Sequence, residues 1–546
     1  MTKVWREHFP FPVIRDGQEE VIDEIIKNFE GGCKINLLDA PTGTGKSGIG
    51  LTIARHFGSA YYITAQKILQ NQLTNDFGPS GSWVGSGKPL IELKGRNAYP
   101  CNFYSRALAD SEYSKRIVDD GKQERFEEMA MSGVNCAKGE CKRVLKSKLK
   151  YCEGHCPYFN QLDSAMVSKL TMMNFHSFLF QTQMVPERWN RRSLLIIDEC
   201  HNTEQVLMDF VSLTLTDRDF GFTFPVYESA AEYLIFLEDH GTFEMIVSKI
   251  AEAVRVNNDE EEEHWKGQAL KYAKFKNALT NSDEEWISKH ERKENWSTIE
   301  LKPLFIRKFT DPLLFDIADN ILMMSATILN PRIFADSLGV ESNDYKYVKL
   351  ENKFPVENRP IFYQPSGSMS FKNKHATIPK MRADVERICT EHYNDRGIIH
   401  THNFETADYL SKNCVKTVSR RFFFQNDYPN KQDMLRQHAE SKNGIIIAPA
   451  MHEGLDLKDD LSRFQIITKV PYPSTANNPQ LERRMRISND YYMYLAALKL
   501  VQSYGRSIRS EKDWAKTYVL DGDFKSFCSR AQSVLPKWFT EAIKWS

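Results

Sequence analysis

The chain has 546 residues, 41% of them hydrophobic and 26% charged, an ordinary globular composition that excludes a single small module, a fibrous chain and extensive disorder. Lysine plus arginine and aspartate plus glutamate each number 72, so no global charge advertises nucleic acid or membrane, and such a partner must be sought in local patches. The N-terminal stretch has no signal-peptide core, and the longest apolar runs, such as Ser193-Leu-Leu-Ile-Ile197, are strand-sized. The expectation is a soluble, intracellular, non-secreted protein with no membrane partner.

Short continuous apolar runs, the pattern of strands buried on both faces of a parallel sheet, recur along the chain. The first, Ile35-Asn-Leu-Leu38, leads into Ala40-Pro-Thr-Gly-Thr-Gly-Lys-Ser47 and then Ile49, Ile53, Ala54 and Phe57 at helical spacing. A glycine-rich turn between strand and helix can fold its N–H groups around a β-phosphate. Gly43, Thr44 and Gly45 form that nest, Lys46 would reach the β/γ-phosphates, and the Ser47 hydroxyl would bind Mg²⁺. These features point to ATP and Mg²⁺ as cofactors.

Tyr61-Tyr-Ile63 is the next strand, and a cysteine-rich block of about residues 96–160 follows it. Five of the ten cysteines fall here: Cys101, Cys136, Cys141, Cys152 and Cys156. In a large chain without a signal peptide, clustered thiols point to metal rather than disulfides. Lys138, Lys142, Arg143, Lys146, Lys148 and Lys150 make a basic patch with one acid, Glu140, among them. A patch of this density can track phosphates by counterion release, although a solvated surface has the same composition.

Leu194-Leu-Ile-Ile-Asp-Glu-Cys-His201 is an apolar strand ending in two acids. Asp198 would hold Mg²⁺, while Glu199 would orient and deprotonate the water that attacks the γ-phosphate. Cys200 reads as a packed small residue, and His201 as a relay of nucleotide state. Residues 208–312 lack strand signals and read as mainly helical, with the acidic run Asp259-Glu-Glu-Glu-Glu263 as a solvated face. Ile321–Met324 is the last strand of the first group and is followed by Ser325-Ala-Thr327.

After the Pro-containing segment Asn352–Pro360, a second group comprises Gly397-Ile-Ile-His400, Ile445–Ile447, Ile466-Ile467 and Tyr518-Val-Leu520. Within it, Glu453-Gly-Leu-Asp456 offers Gly454 and Asp456 for coupling to nucleotide. Gln502-Ser-Tyr-Gly-Arg-Ser-Ile-Arg509 places Arg506 and Arg509 three apart, on one face if the segment is helical. Both could stabilise transition-state charge as arginine fingers from a second domain.

These motifs together resemble superfamily 2 helicases, and more narrowly the XPD/DinG branch of iron–sulfur DNA helicases. The narrower resemblance rests on Phe9-Pro-Phe-Pro-Val-Ile-Arg-Asp-Gly-Gln18, Lys94-Gly-Arg-Asn-Ala-Tyr-Pro-Cys101, Cys156-Pro-Tyr-Phe159, Asn174-Phe-His176, Phe354-Pro-Val-Glu-Asn-Arg359 and Asp513. The resemblance implies an α/β fold of two RecA-like parallel-sheet motor domains. The first, discontinuous over 1–95, 161–207 and 313–335, binds ATP; a cluster insertion occupies 96–160, a mainly helical arch-like insertion 208–312, and the second motor domain 336–546.

By the same resemblance Gln18 contacts adenine, Lys46, Asp198, Glu199, Gln502, Arg506 and Arg509 form the catalytic set, and a [4Fe–4S] cluster is held by four cysteines. Cys101 and Cys156 match the outer ligands; Cys136 and Cys141 are favoured for the inner pair, with Cys152 as the alternative. A four-cysteine zinc site is the rival, although no Cys-x2-Cys pair occurs. The implied activity is 5′-to-3′ translocation on single-stranded DNA and unwinding of forked DNA by a monomeric motor. The alternatives are a translocase acting on RNA, R-loops or DNA-bound proteins, and a non-catalytic scaffold, against which the intact site residues argue.

Overall fold

The computed structural model describes residues 4–65, 67–83, 88–109, 123–137, 156–256, 258–281, 284–351, 354–449, 459–508 and 512–545, with 115, 118 and 457 singly. The strands β1 (Ile35–Asp39), β2 (Ala60–Thr64), β3 (Ile91–Leu93), β4 (Leu170–Asn174) and β5 (Arg192–Asp198) build the first sheet. An insertion then carries β6 (Leu213–Thr216), β7 (Trp286–Arg292) and β8 (Ser297–Pro303), after which β9 (Ala318–Ser325) and β10 (Tyr345–Lys349) return to the first sheet. That sheet runs β10-β1-β9-β5-β2-β4-β3, and every pairing in it is parallel.

The second sheet is formed by β11 (Ile361–Gly367), β12 (Gly397–His400), β13 (Phe422–Phe424), β14 (Ile445–Ala448), β15 (Phe464–Ile467), β16 (Lys516–Asp521) and β17 (Ile543–Trp545). Its order is β13-β14-β12-β15-β16-β11-β17, again all parallel. Helices connect the strands and cover the sheet faces, which is why the central strands are largely apolar: β2, β12, β14 and β15 are buried at every position. Two RecA-like parallel-sheet domains are therefore present, as expected.

Three expectations need correction. The first sheet extends past residue 335, because β10 pairs along its whole length with β1. Tyr345-Lys-Tyr-Val-Lys349 buries only Val348 fully, as an edge strand does, and so shows no apolar run. The second sheet begins before Gly397, since β11 lies in it between β16 and β17. The 208–312 insertion is helical in Ala230–Asp239, Thr242–Arg255 and Asp259–Asn281, but it also holds the antiparallel sheet β6-β8-β7. β8 alternates buried and half-buried residues, with Ile299 and Leu301 facing the core between Glu300 and Lys302 on the other side.

One apolar core runs from the first domain through the insertion into the second. The helix Asn489–Tyr504 lies at its centre and buries Met493, Tyr494, Ala496, Ala497, Leu500, Val501 and Tyr504. Burial of Leu500 and Val501 contributes about 1.5–3 kcal/mol each. This helix carries Gln502 and leads into Arg506, so its packing fixes where that segment meets the first domain.

Candidate active site

Three adjacent strands, β1, β9 and β5, end at one edge of the first sheet. Register aligns Asp39 with Ser325 and Asp198 with Met324. The ends of β1, β9 and β5 therefore bring the phosphate loop, Ser325-Ala-Thr327 and Asp198-Glu199 to one crevice beyond the carboxyl ends of a parallel sheet, where such folds bind ligands.

The loop between β1 and the helix Lys46–His56 turns through Gly43 (φ 84°) and Gly45 (φ 80°), conformations that L side chains rarely adopt. A Cβ on Gly45 would also lie 2.5 Å from Nε2 of Gln18. Gln18 is buried, accepts a hydrogen bond from the Arg15 N–H at 2.8 Å, and donates to the Thr44 carbonyl at 2.8 Å. The Arg15 guanidinium donates to the Gly43 carbonyl. Gln18 thus braces the loop that its predicted adenine contact would adjoin. Lys46 Nζ donates to the Ala40 carbonyl at 3.0 Å, holding the ammonium across the mouth of the loop.

Asp198 is buried, and its Oδ2 accepts a hydrogen bond of 2.7 Å from the Tyr62 hydroxyl. Burial, with repulsion from Glu199, raises the Asp198 carboxyl to about 6, while Lys46 and Tyr62 draw it down. Asp39 is likewise raised to about 6 by burial, despite the Tyr347 hydroxyl donating to it at 2.8 Å. A divalent cation placed against Asp198 would offset both the burial and the repulsion, so the donor set of Ser47 and Asp198 fits Mg²⁺. Tyr62 was not expected from the sequence. Its only signal is a hydroxyl inside an apolar strand, and Ser47 is near enough to draw the tyrosine's pKa down against burial.

Glu199 occupies the left-handed region at φ 54° and ψ 47°. For a non-glycine residue this is a strained conformation of the kind that persists at functional sites. Its side chain comes within 3.4 Å of His201 Nδ1, which also lies 2.8 Å from Ser325 Oγ. Ser325 Oγ is 3.4 Å from Thr327 Oγ1, and Thr327 Oγ1 is 3.4 Å from Gln502 Nε2 of the second domain. A chain of polar contacts thus runs from Glu199 to the opposite domain. Cys200 is fully buried, and burial followed by the charge of Glu199 holds its thiol well above the usual range. It is packed, not nucleophilic.

The expected helical face for the arginines is corrected. The helix ends at Tyr504, with Gly505 as its C-cap, so Arg506 stands in the turn beyond. Arg509, Gly454 and Asp456 lie outside the described residues.

In the cysteine-rich block, Cys136 Sγ and Cys156 Sγ are 3.8 Å apart. The Cys136 thiol is raised far above its usual range by its hydrogen bond with Cys156, by burial and by the nearby Cys101. Thiols that oppose one another's ionisation suit a soft cation, which removes that opposition. Cys141, Cys152 and the basic run 138–150 lie outside the described residues, and among those described no three such ligands gather closely enough for a metal ion. Arg96 donates to the Cys136 carbonyl at 3.0 Å and pairs with Glu263 of the second insertion at 3.7 Å. The two insertions therefore meet beside the thiols. No helix among the described residues is long and apolar enough to cross a membrane.

Residues 387–542 match the helicase C-terminal domain, and residues 12–208 match the type III restriction enzyme res subunit. Among curated proteins the chain is 30% identical over 164 residues to the ATP-dependent DNA helicase CHL1 of Candida albicans, covering 26% of this chain and 19% of that protein. It is 29% identical over 247 residues to the same-named helicase of Scheffersomyces stipitis, covering 38% and 29%. It is 25% identical over 265 residues to the ATP-dependent DNA helicase DinG of Photobacterium profundum, covering 43% and 36%. The matched segments thus span 19–36% of these relatives' lengths. Among solved structures, an XPD helicase matches with TM-score 0.61 at 14% identity over 98% of this chain and 100% of that one. Xpd4 of S. tokodaii matches with TM-score 0.56 at 12% identity over 97% and 100%.

Proposed function

We propose that this XPD/DinG-like superfamily 2 chain is an ATP-dependent DNA helicase that moves 5′ to 3′ on single-stranded DNA and unwinds forks. The observation that carries this reading is the polar chain Glu199–His201–Ser325–Thr327–Gln502, which links the hydrolytic acid of one sheet to a helix of the other. A chemical change at the γ-phosphate can then alter how the two domains sit, which is what translocation requires.

In this reading the phosphate loop binds the β/γ-phosphates, with Lys46 turning from the Ala40 carbonyl to them. Ser47 and Asp198 hold Mg²⁺, which supplies charge neutralisation to the phosphates when bound. Glu199 orients the attacking water and accepts its proton. Arg506 and Arg509 approach from the second domain as the cleft closes and stabilise the charge on the departing phosphate. Gln18 meets the adenine, and Gly454 with Asp456 couples the second domain to nucleotide.

The [4Fe–4S] cluster is assigned to Cys101, Cys136, Cys141 and Cys156, with Cys152 as the alternative, and it staples the first insertion. With the 208–312 insertion it forms a collar for the displaced strand, and the basic run 138–150 supplies phosphate contacts. The test is strand displacement on duplexes bearing a 5′ or a 3′ single-stranded tail, alongside Lys46→Ala. Unwinding from the 5′ tail alone, lost in the variant, is expected. Tail-stimulated hydrolysis without displacement would instead assign a translocase, and unwinding from the 3′ tail would refute the polarity.

A further inference from the structure

The two motor domains also meet away from the nucleotide, through a buried charge cluster. Glu204 lies in the helix Thr203–Val211, three residues beyond His201. Its Oε1 is 2.5 Å from an Arg484 guanidinium nitrogen, and its Oε2 accepts from the Tyr491 hydroxyl. The Arg484 guanidinium stacks 3.7 Å over the Tyr491 ring and 5.0 Å from that of Phe305. Arg484 and Glu204 are 7% and 8% exposed, so the pair is desolvated.

Burying two charges costs more solvation than a well-packed apolar pair would, and such pairs are weak contributors to stability. Their best-attested use is to specify one arrangement against others. The surroundings here suit a contact that is made and broken. Arg484 and Tyr491 form a wall between two cavities, of about 830 and 230 Å³. Water entering either one can solvate the charges when the domains part, so release does not require either domain to unfold.

The cluster is tied to both ends of the catalytic chain. On one side it sits a helical turn from His201. On the other, Tyr491 opens the helix Asn489–Tyr504, whose Tyr494 hydroxyl donates to the Ile328 carbonyl at 3.1 Å and whose last turn holds Gln502. We propose that Glu204, Arg484 and Tyr491 form an interdomain positioning site that seats this helix so that Gln502 and Arg506 face the nucleotide in the closed state. The proposal rests on the ATP-driven reading above and assigns roles that reading does not contain.

The consequence is a separation of kcat from KM. Glu204→Gln leaves a buried Arg484 without its counter-charge in the closed state, but leaves the phosphate loop intact. The rate of DNA-stimulated ATP hydrolysis falls about tenfold or more, while KM for ATP moves less than about threefold. Arg484→Met has a similar effect. The double variant Glu204→Gln/Arg484→Met leaves no uncompensated charge, so its rate exceeds the product of the two single effects by at least about fivefold. Tyr491→Phe, which removes one donor to the Glu204 carboxylate, lowers the rate about threefold.

Hydrogen exchange supplies a readout independent of turnover. Addition of ADP with beryllium fluoride and Mg²⁺ should protect residues 479–508 in the wild-type chain, and Glu204→Gln should reduce that protection. Wild-type rates in Glu204→Gln and Tyr491→Phe, or single effects that simply multiply in the double variant, would overturn the positioning site. Absence of ATP hydrolysis in the wild-type chain would instead overturn the reading on which it rests.

Discussion

Replacing Tyr62 by Phe removes one oxygen from a fully buried ring and leaves its packing volume almost unchanged. That oxygen donates at 2.7 Å to Oδ2 of Asp198, one of the two residues assigned to Mg²⁺. A hydrogen bond to a charged group contributes about 1.5–3 kcal/mol, and loss of a partner that orients a metal ligand typically weakens metal affinity about 10–100-fold. Asp198 is already raised to about 6, chiefly by burial. Without Tyr62 the charged form loses a donor, so the carboxyl rises further and the acid limb of the pH–rate profile moves up. The assay is ATP hydrolysis at fixed ATP over a titration of free Mg²⁺, repeated across pH 5–8. The expected result is a Mg²⁺ requirement raised about 10–100-fold, with kcat at saturating Mg²⁺ within about threefold of wild type. A Mg²⁺ curve superimposable on that of wild type, or a loss of kcat that Mg²⁺ does not restore, would refute the role of the hydroxyl.

Asp39 has a folded pKa of about 6 against an ordinary value of 3.8. The folded chain therefore holds more protons than the unfolded chain between these values, and this group's contribution to stability is lost as pH rises from about 4 through 6. Because Asp39 keeps a partly exposed edge, Asp39→Asn should stabilise the chain by about 1–2 kcal/mol at pH 7.5, and by less at pH 5. Thermal melts that show no gain at pH 7.5, or a larger gain at pH 5, would contradict the assignment. For the cluster, anaerobically purified protein should carry iron and sulfide, and Cys136→Ser and Cys156→Ser should both lose them; zinc in place of iron on elemental analysis would favour the rival site. Phe371, 84% exposed, lies under the Lys374 ammonium in the turn that follows β11, and Phe404, 57% exposed, opens the helix Phe404–Asn413 beyond β12, next to Glu405, which pairs with Lys374. A base stacked on an aromatic ring contributes about 1–3 kcal/mol, so Phe404→Ala should weaken binding of a fluorescent oligonucleotide by about fivefold or more, and unchanged anisotropy curves would remove Phe404 from the DNA path.

The features legible in the sequence are those whose chemistry is local. The phosphate loop and the Asp198-Glu199 pair each occupy one strand end and the turn after it, so residue order alone displays them. Two strands without an apolar run are polar for physical reasons. β10 is an edge strand, and β7 buries only Trp286 among seven residues, with Lys289, His290 and Glu291 half-buried and Arg292 exposed. Tyr62 sits in a run that reads as ordinary core, and nothing in the order of residues connects it to Asp198, 136 positions away. The Glu204–Arg484 pair spans 280 positions and is created by the docking of one domain on another. Such contacts are properties of the folded chain that no local pattern carries.

Unfavourable local energies gather at the crevice and at the domain contact a helical turn from His201. Glu199 holds a left-handed backbone, Asp39 and Asp198 are buried acids raised to about 6, and Glu204 with Arg484 is a desolvated charge pair. The two sheets that support them are by contrast buried and apolar through their central strands. A site built this way is held by the fold rather than stabilising it, and a bound cation or the γ-phosphate relieves part of the cost. In the proposed cycle the relief at Asp198 would come on Mg²⁺ binding, whereas that at Glu204–Arg484 would come when the domains part and water reaches the pair. The two terms would then act in opposite phases of that cycle, one favouring the loaded, closed state and the other easing its release. A motor that must both close and reopen needs contributions of both signs at the same interface.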